Sequence, residues 1–287
     1  MFNISNQVGI YEKALPNGDW SEKFKIAKQF NFDFIELSID ESPERLARLD
    51  WSDQEINNLN KLQSEYQIKI RSICFSGHRK YPLGSHNETI RTTALALLKK
   101  CIVLAIKLGV RVIQLAGYDV YYEIKDYETR TWFLTNLKAG LKLANRYGVM
   151  LAIETMDDPF ISSITKYLAI KKECPSPWLS VYPDVGNLSA WVGAEVTKEI
   201  ASGIDEIVGF HLKDTIAVSS HYPGKFKRVP FGSGCVDFVK ILQYLRTVDY
   251  QGSFMIEAWF EDDNNPVQEL QTAVNFINKQ FRKAGWG

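Results

Sequence analysis

Four side chains able to ligate a metal stand at the ends of four short apolar runs: Glu154 in LAIETMD, Asp184 in VYPDVGN, His211 in VGFHLKD and Glu257 in FMIEAWF. Three carboxylates and one imidazole form an oxygen–nitrogen donor set. That set suits one divalent cation such as Mn²⁺, Zn²⁺ or Co²⁺, with ligand distances of about 2.0–2.2 Å for zinc. A single acidic residue after an apolar run is unremarkable, because it commonly caps the next helix or sits solvated in a loop. Four in succession carry more weight. Three negative charges gathered at one point repel one another unless a cation compensates them. The pattern therefore points to a metal centre held by Glu154, Asp184, His211 and Glu257, provided the fold brings the four run ends together.

The surrounding sequence supplies such a fold. Short β-branched or aromatic runs occur at 8–11, 34–38, 70–75, 112–116, 150–155, 180–183, 207–211 and 254–259. Between them lie stretches with helical periodicity at 20–30, 52–66, 88–108, 127–147 and 267–281. Ser52 with Glu55 three residues on reads as a capping box. Apolar residues at 94, 97, 98, 101, 102, 105 and 108 keep the three-to-four spacing of one helix face. Gly109 and Gly148 stand where a helix ends in the left-handed conformation. The strand candidates are almost continuously apolar, as strands covered on both faces are. Strands alternating with helices predict a parallel sheet, and about eight such units in 287 residues fit a closed (β/α)₈ barrel. A doubly wound sheet would want a glycine-rich turn after its first strand, where this chain has YEKALPNG. With no linker or low-complexity tract, residues 1–287 are expected to form one barrel domain. In a barrel, function sits at the strand C-termini. Neighbouring strands lie about 4.8 Å apart, so the four run ends can converge near the axis.

Composition narrows the function further. Lys and Arg number 34, as do Asp and Glu, so the formal net charge is zero. A general nucleic-acid or anionic-membrane binder depends on clustered cations, so neither partner is expected. The apolar run at 102–106 is too short for a bilayer, and the first fifteen residues lack the basic and apolar regions of a signal peptide. The four cysteines are far apart and form no C-x-x-C, which excludes a disulfide scaffold and predicts buried, reduced thiols in a cytoplasmic protein.

Longer strings carry a resemblance: GIYEKALP at 9–16, RLARLDWS at 45–52, HRKYPLGS at 78–85, VIQLAGYDVYY at 112–122, YPDVGNLSAW at 182–191, HLKDT at 211–215, and VPFGSG with VDF within 229–238. With them the sequence resembles, over nearly its whole length, the L-ribulose-5-phosphate (L-xylulose-5-phosphate) 3-epimerases of the xylose isomerase-like TIM-barrel superfamily. The family pattern places metal ligands at the same four positions. The segment 216–227, IAVSSHYPGKFK, is longer than that pattern leads one to expect. The resemblance implies a cytoplasmic, metal-dependent isomerase, expected to be a homodimer, that inverts C3 of a ketopentose 5-phosphate in carbohydrate metabolism (L-ascorbate degradation among its settings). Epimerisation removes a carbon-bound proton beside a carbonyl and returns one to the opposite face, a task for two acid/base groups. Glu154 and Glu257 are the candidates, with a Lewis-acidic cation stabilising the enediolate.

A sugar phosphate also needs donors at the barrel mouth. Lys13 follows the first strand, His78 and Arg79 the third, and Lys225, Lys227 and Arg228 lie in the seventh loop. Gly232 and Gly234 offer an alternative phosphate cradle. Asn187 and Lys213 are candidate substrate contacts. Tyr118, Tyr121 and Tyr122 could wall the pocket, and Trp191 and Trp259 could pack on the sugar or at a subunit contact. Three rivals remain to be separated. An aldose–ketose isomerase, for instance of hexulose 6-phosphate, would use the same groups but move the proton between C1 and C2. A non-catalytic sugar-phosphate binder would not need paired bases. A barrel nuclease is disfavoured by only four histidines and zero net charge.

Overall fold

The computed structural model describes residue 2 and residues 4–260 and 265–287. Its strands are β1 (Val8–Tyr11), β2 (Phe34–Ile39), β3 (Lys69–Phe75), β4 (Val112–Ala116), β5 (Met150–Glu154), β6 (Leu179–Tyr182), β7 (Gly209–Leu212) and β8 (Ser253–Ile256). They run parallel in the order β6-β5-β4-β3-β2-β1-β8-β7. Isolated parallel bridges Val181↔Ile207 and Asp184↔His211 join β6 to β7 and close the ring. The result is the expected (β/α)₈ barrel.

Alternation along the strands builds two cores. Outward residues such as Ile10, Leu37, Ile73, Leu115 and Ile153 join the main apolar cluster under the helices. Inward residues Tyr11, Phe34, Cys74, Ala152, Tyr182 and Met255 form a separate cluster inside the barrel. The helices are α1 (Trp20–Gln29), α2 (Pro43–Ala47), α3 (Asp53–Tyr66), α4 (Glu88–Leu108), α5 (Tyr127–Tyr147), α6 (Ile164–Glu173), α7 (Val185–Val192), α8 (Val196–Ser202), α9 (Phe238–Thr247) and α10 (Pro266–Lys283). The Ser52–Glu55 capping box forms at the start of α3. Gly109 and Gly148 end α4 and α5 with φ of 74° and 64°. A side chain at either position would cost about 1–2 kcal/mol.

Sequence periodicity did not single out α2, α6, α7, α8 or α9. None exceeds ten residues, below the window over which a 3.6-residue period stands out. The thiol expectation needs one correction: Cys74, Cys101 and Cys174 are buried, but Cys235 is exposed. Cys235 lies just past the PFGSG turn, a surface loop whose Gly232 and Gly234 N–H groups donate to Asp214 and whose Phe231, not Cys235, packs inward. No helix among the described residues is long and apolar enough to cross a membrane.

Candidate metal centre and active site

Each of the four candidate ligands is delivered by a strand end. Glu154 is the last residue of β5, His211 lies within β7, and Glu257 follows β8 directly. Asp184 follows β6 and is also the N-cap of α7, its Oδ1 accepting the Asn187 N–H at 2.8 Å. The ordinary capping role and the special one thus coexist: Oδ1 holds the helix, and Oδ2 faces the interior. Asp184 and His211 are bridge partners across the β6–β7 seam, so closing the barrel brings them together. All four residues are buried, and each offers a donor atom within 4.8 Å of the others. His211 Nδ1 stands 2.7 Å from Glu257 Oε2, 3.6 Å from Glu154 Oε1 and 4.0 Å from Asp184 Oδ2. Lys213, one step along the same inward face, puts its ammonium 2.8 Å from Asp184 Oδ2 and 3.5 Å from Glu257 Oε1.

These contacts split the two glutamates electrostatically. Burial raises the Glu154 carboxyl to about 7, and its His211 contact offsets this only in part. Burial acts on Glu257 too, but Lys213, His211 and the Trp259 indole N–H (2.9 Å) outweigh it and hold Glu257 well below its usual range. Asp184 is raised by burial against the pull of Lys213. Burial would discharge His211 and Lys213, yet the surrounding carboxylates win and raise both. The cause of the split is the number of donors: Glu257 receives three N–H groups, whereas Glu154 meets one distant ring nitrogen.

The donor set fits a divalent cation. Tetrahedral ligands at zinc-like distances are about 3.4 Å apart, and the observed separations bracket that value. Asp184 Oδ2 is buried and faces the cage, with the Lys213 ammonium at 2.8 Å as its partner and His211 Nδ1 at 4.0 Å. Lys213 and a charged His211 are together outnumbered by the buried carboxylates of Glu36, Glu154, Asp184 and Glu257.

A narrow pocket opens above the cage. Its lining includes Tyr11, Lys13, Cys74, Ser76, Arg79, Glu154, Asp157, Asn187, Lys213, Lys227, Glu257 and Trp259. Lys13, Arg79, Lys227, Asn187 and Lys213 are therefore brought together. Lys13 pairs with Asp40 and lies 5.2 Å from the Trp259 ring, with Lys227 Nζ 4.7 Å from the same ring. Arg79 is packed on Tyr121 and Tyr118, at 4.8 and 5.7 Å from their ring centres, and donates to the Tyr118 hydroxyl. Asn187 donates to Thr155 O, leaving its buried Oδ1 without a partner.

Two candidates fall outside this pocket. His78 is buried against Phe75 with Nε2 3.2 Å from Ala94 O, and burial lowers it to about 4, so it is neutral and turned into the core. Arg228, held at φ 54°, borders an adjoining hollow that shares Lys213, Glu257 and Trp259 with the pocket and extends to Phe231 and Gln268. The alternative cradle at Gly232 and Gly234 is also taken. Both N–H groups donate to Asp214 Oδ2, at 2.8 and 3.0 Å, so that loop already holds an internal anion. The long segment 216–227 forms a small antiparallel hairpin through Ile216↔Lys225 and Ser219↔Tyr222. Phe226 and Lys227 then reach the pocket, and Phe226 packs on Trp191. Trp191 donates to Met156 O and supports this wall, whereas Trp259 lines the pocket itself. Tyr122 remains largely exposed.

The pattern described as a xylose isomerase-like TIM barrel matches residues 24–280. UlaE of Escherichia coli O157:H7, named an L-ribulose-5-phosphate 3-epimerase, is 44% identical over 285 residues, 98% of each chain. SgbU of Escherichia coli K12 is 47% identical over 283 residues, 98% of this chain and 99% of its own. The chain belongs to the L-ribulose-5-phosphate 3-epimerase family of xylose isomerase-like barrels. It is an isomerase of the epimerase type. Solved structures agree on the fold. A 3-keto-D-glucoside 4-epimerase, YcjR from E. coli, superposes with a TM-score of 0.76 at 16% identity, covering 96% of this chain and 99% of its own. An L-ribulose 3-epimerase gives 0.74 at 18%, covering 98% and 97%.

Sequence reasoning on this epimerase passed over Glu36. It lies in β2, is fully buried, and places Oε1 3.0 Å from His211 Nε2 and Oε2 2.5 Å from Ser72 Oγ. A signal was present: an acidic residue inside the apolar run FIELSI is costly to bury unless it has a partner. Tyr11, on the pocket wall with its hydroxyl 2.9 Å from Ser38 Oγ, was likewise read only as part of a strand.

Proposed function

We propose that this epimerase inverts C3 of a ketopentose 5-phosphate, interconverting L-ribulose 5-phosphate and L-xylulose 5-phosphate with the help of one divalent ion held by Glu154, Asp184, His211 and Glu257. The observation that carries the reading is the pairing of Glu154 and Glu257, on strands β5 and β8, in a single pocket that also collects Lys13, Arg79 and Lys227. The named activity of UlaE supports the choice of substrate.

The chain's own groups account for most of the chemistry. One glutamate takes the C3 proton, and the electron pair left behind moves toward the adjacent carbonyl oxygen. The other glutamate returns a proton to the opposite face. Glu154, which burial makes the harder of the two glutamates to ionise, is suited to carry the returning proton. Glu257, kept ionised, is ready as a base. A bound divalent cation would supply Lewis acidity beside the carbonyl. Lys213 and the free Oδ1 of Asn187 would orient the sugar hydroxyls, and Lys13, Arg79 and Lys227 would hold the phosphate away from the carboxylates. His78 and Arg228 have no part in this reading.

The test is incubation of the metal-loaded protein with either ketose phosphate in deuterium oxide. Deuterium at C3 with formation of the epimer is expected. Label at C1 or C2 would make the protein an aldose–ketose isomerase, and absence of label would make it a binder.

A further inference from the structure

His211 has two ring nitrogens, and the fold gives them opposite surroundings. Nδ1 faces the cage of Glu154, Asp184 and Glu257. Nε2 points the other way, to Glu36 Oε1 at 3.0 Å. We infer that Glu36 is a positioning residue for His211: it accepts the Nε2 proton and so commits Nδ1, with its lone pair, to the divalent ion. This rests on the metal reading proposed above and adds which nitrogen binds and what selects it.

Three features support the assignment. The first is that Glu36 has been placed there at some cost. It is fully buried and is paired with no lysine or arginine among the described residues, so its charge needs the imidazole N–H and the Ser72 hydroxyl as partners. Second, the backbone is irregular at this point. The β2–β3 register runs Ile35↔Ile70 and then Glu36↔Ser72, so Arg71 is an extra residue on β3. Such bulges re-aim side chains near active sites. Here the slip turns Ser72 inward, opposite Glu36, in place of the arginine. The Ser72 hydroxyl engages Oε2 and leaves Oε1 for the histidine. Third, the ring separates Glu36 from the cage, so Glu36 does not join the donor set but acts through the imidazole. A carboxylate on the far nitrogen fixes tautomer and ring orientation and makes the ligating nitrogen more basic.

The test uses the full chain and Zn²⁺. Glu36→Gln keeps the shape and an acceptor oxygen but removes the charge, and Ser72→Ala leaves Glu36 in place but unclamped. Zn²⁺ affinity is measured by competition with a chromophoric chelator. The ring nitrogens are assigned from ¹⁵N-histidine spectra of the loaded protein, and unfolding of the metal-free proteins reports on the fold. Loss of about 10–100-fold in affinity is expected for Glu36→Gln. A smaller loss is expected for Ser72→Ala, with Nδ1 bound and Nε2 protonated in the parent. Parental affinity in Glu36→Gln, or a parent spectrum with Nε2 on the metal, overturns the assignment while leaving the metal reading intact. If Glu36→Gln fails to fold, parental affinity in Ser72→Ala overturns it instead. A parent that takes up no Zn²⁺ overturns the metal reading and this assignment together.

Discussion

Arg79 is the pocket cation whose removal should cost most in recognition of the phosphate. Its side chain is 16% exposed, and it is stacked on Tyr118 and Tyr121 with a hydrogen bond to the Tyr118 hydroxyl. The guanidinium is therefore held in place before substrate arrives. Its nearest carboxylate is Glu41 at 3.9 Å, too far for a hydrogen bond, so its charge is available. Lys13 is already engaged by Asp40. Lys227 is more than one-third open to water, which screens its contribution to about 1 kcal/mol or less, at most roughly fivefold. A charge-assisted contact from a partly buried guanidinium is worth about 1.5–3 kcal/mol, or roughly 10–150-fold. Arg79→Ala should therefore raise KM for the ketopentose 5-phosphate by that factor and leave kcat/KM for the unphosphorylated sugar nearly unchanged. Arg79→Lys should fall between, because it keeps the charge and loses the planar fork and the stacking. Steady-state kinetics on the phosphorylated and free sugars decide the matter. An unchanged phosphate preference in Arg79→Ala, or a larger loss in Lys227→Ala, would refute the ranking and move the phosphate to the seventh loop.

His211→Ala removes the nitrogen donor and should strip the protein of stoichiometric metal; a purified variant with parental metal content would show the ligand assignment to be wrong. Glu154→Gln and Glu257→Gln should each lower turnover by about 10²–10⁴-fold, measured with metal content matched, and near-parental epimerisation by either would exclude the two-base mechanism. Glu12 is fully buried, with Arg48 at 2.6 Å, Arg45 at 3.0 Å and Lys23 at 3.4 Å. Glu12→Gln leaves these cations uncompensated and should cost about 3–5 kcal/mol, a fall in Tm of about 6–20 °C. Burial would raise the Glu12 carboxyl, but the three cations outweigh it and hold it below the ordinary 4.5. Its stabilisation is thus full above about pH 4.5 and lost as pH falls through the lowered native value. Denaturant titrations across that window should be steeper for the parent than for Glu12→Gln, and parallel pH curves would count against the ion cluster.

The barrel and its four strand-end candidate ligands were legible because both depend on local, periodic signals. A buried parallel strand must be apolar throughout, so Glu154, Asp184, His211 and Glu257 stood out as polar residues closing such runs. Register then carries them to one place without further information, and the β6–β7 seam that pairs Asp184 with His211 follows from ring closure. The short helices α6 and α9 left weaker traces, because ten residues span fewer than three turns. What the linear sequence did not determine was the direction of each loop side chain. Lys13, His78, Arg79 and Arg228 looked alike as basic residues after strands. Only packing distinguishes an arginine braced on two tyrosines at the pocket from a histidine buried neutral against Phe75, or a glycine turn open to phosphate from one already occupied by Asp214. Glu36 marks the same division. Its burial could be suspected from FIELSI, but its partner lies 175 residues away, and the two meet through a one-residue slip in strand pairing. Residue type and period determine which elements form and which ends are polar; which nitrogen, oxygen or ammonium faces the site is decided by contacts between segments far apart in the chain.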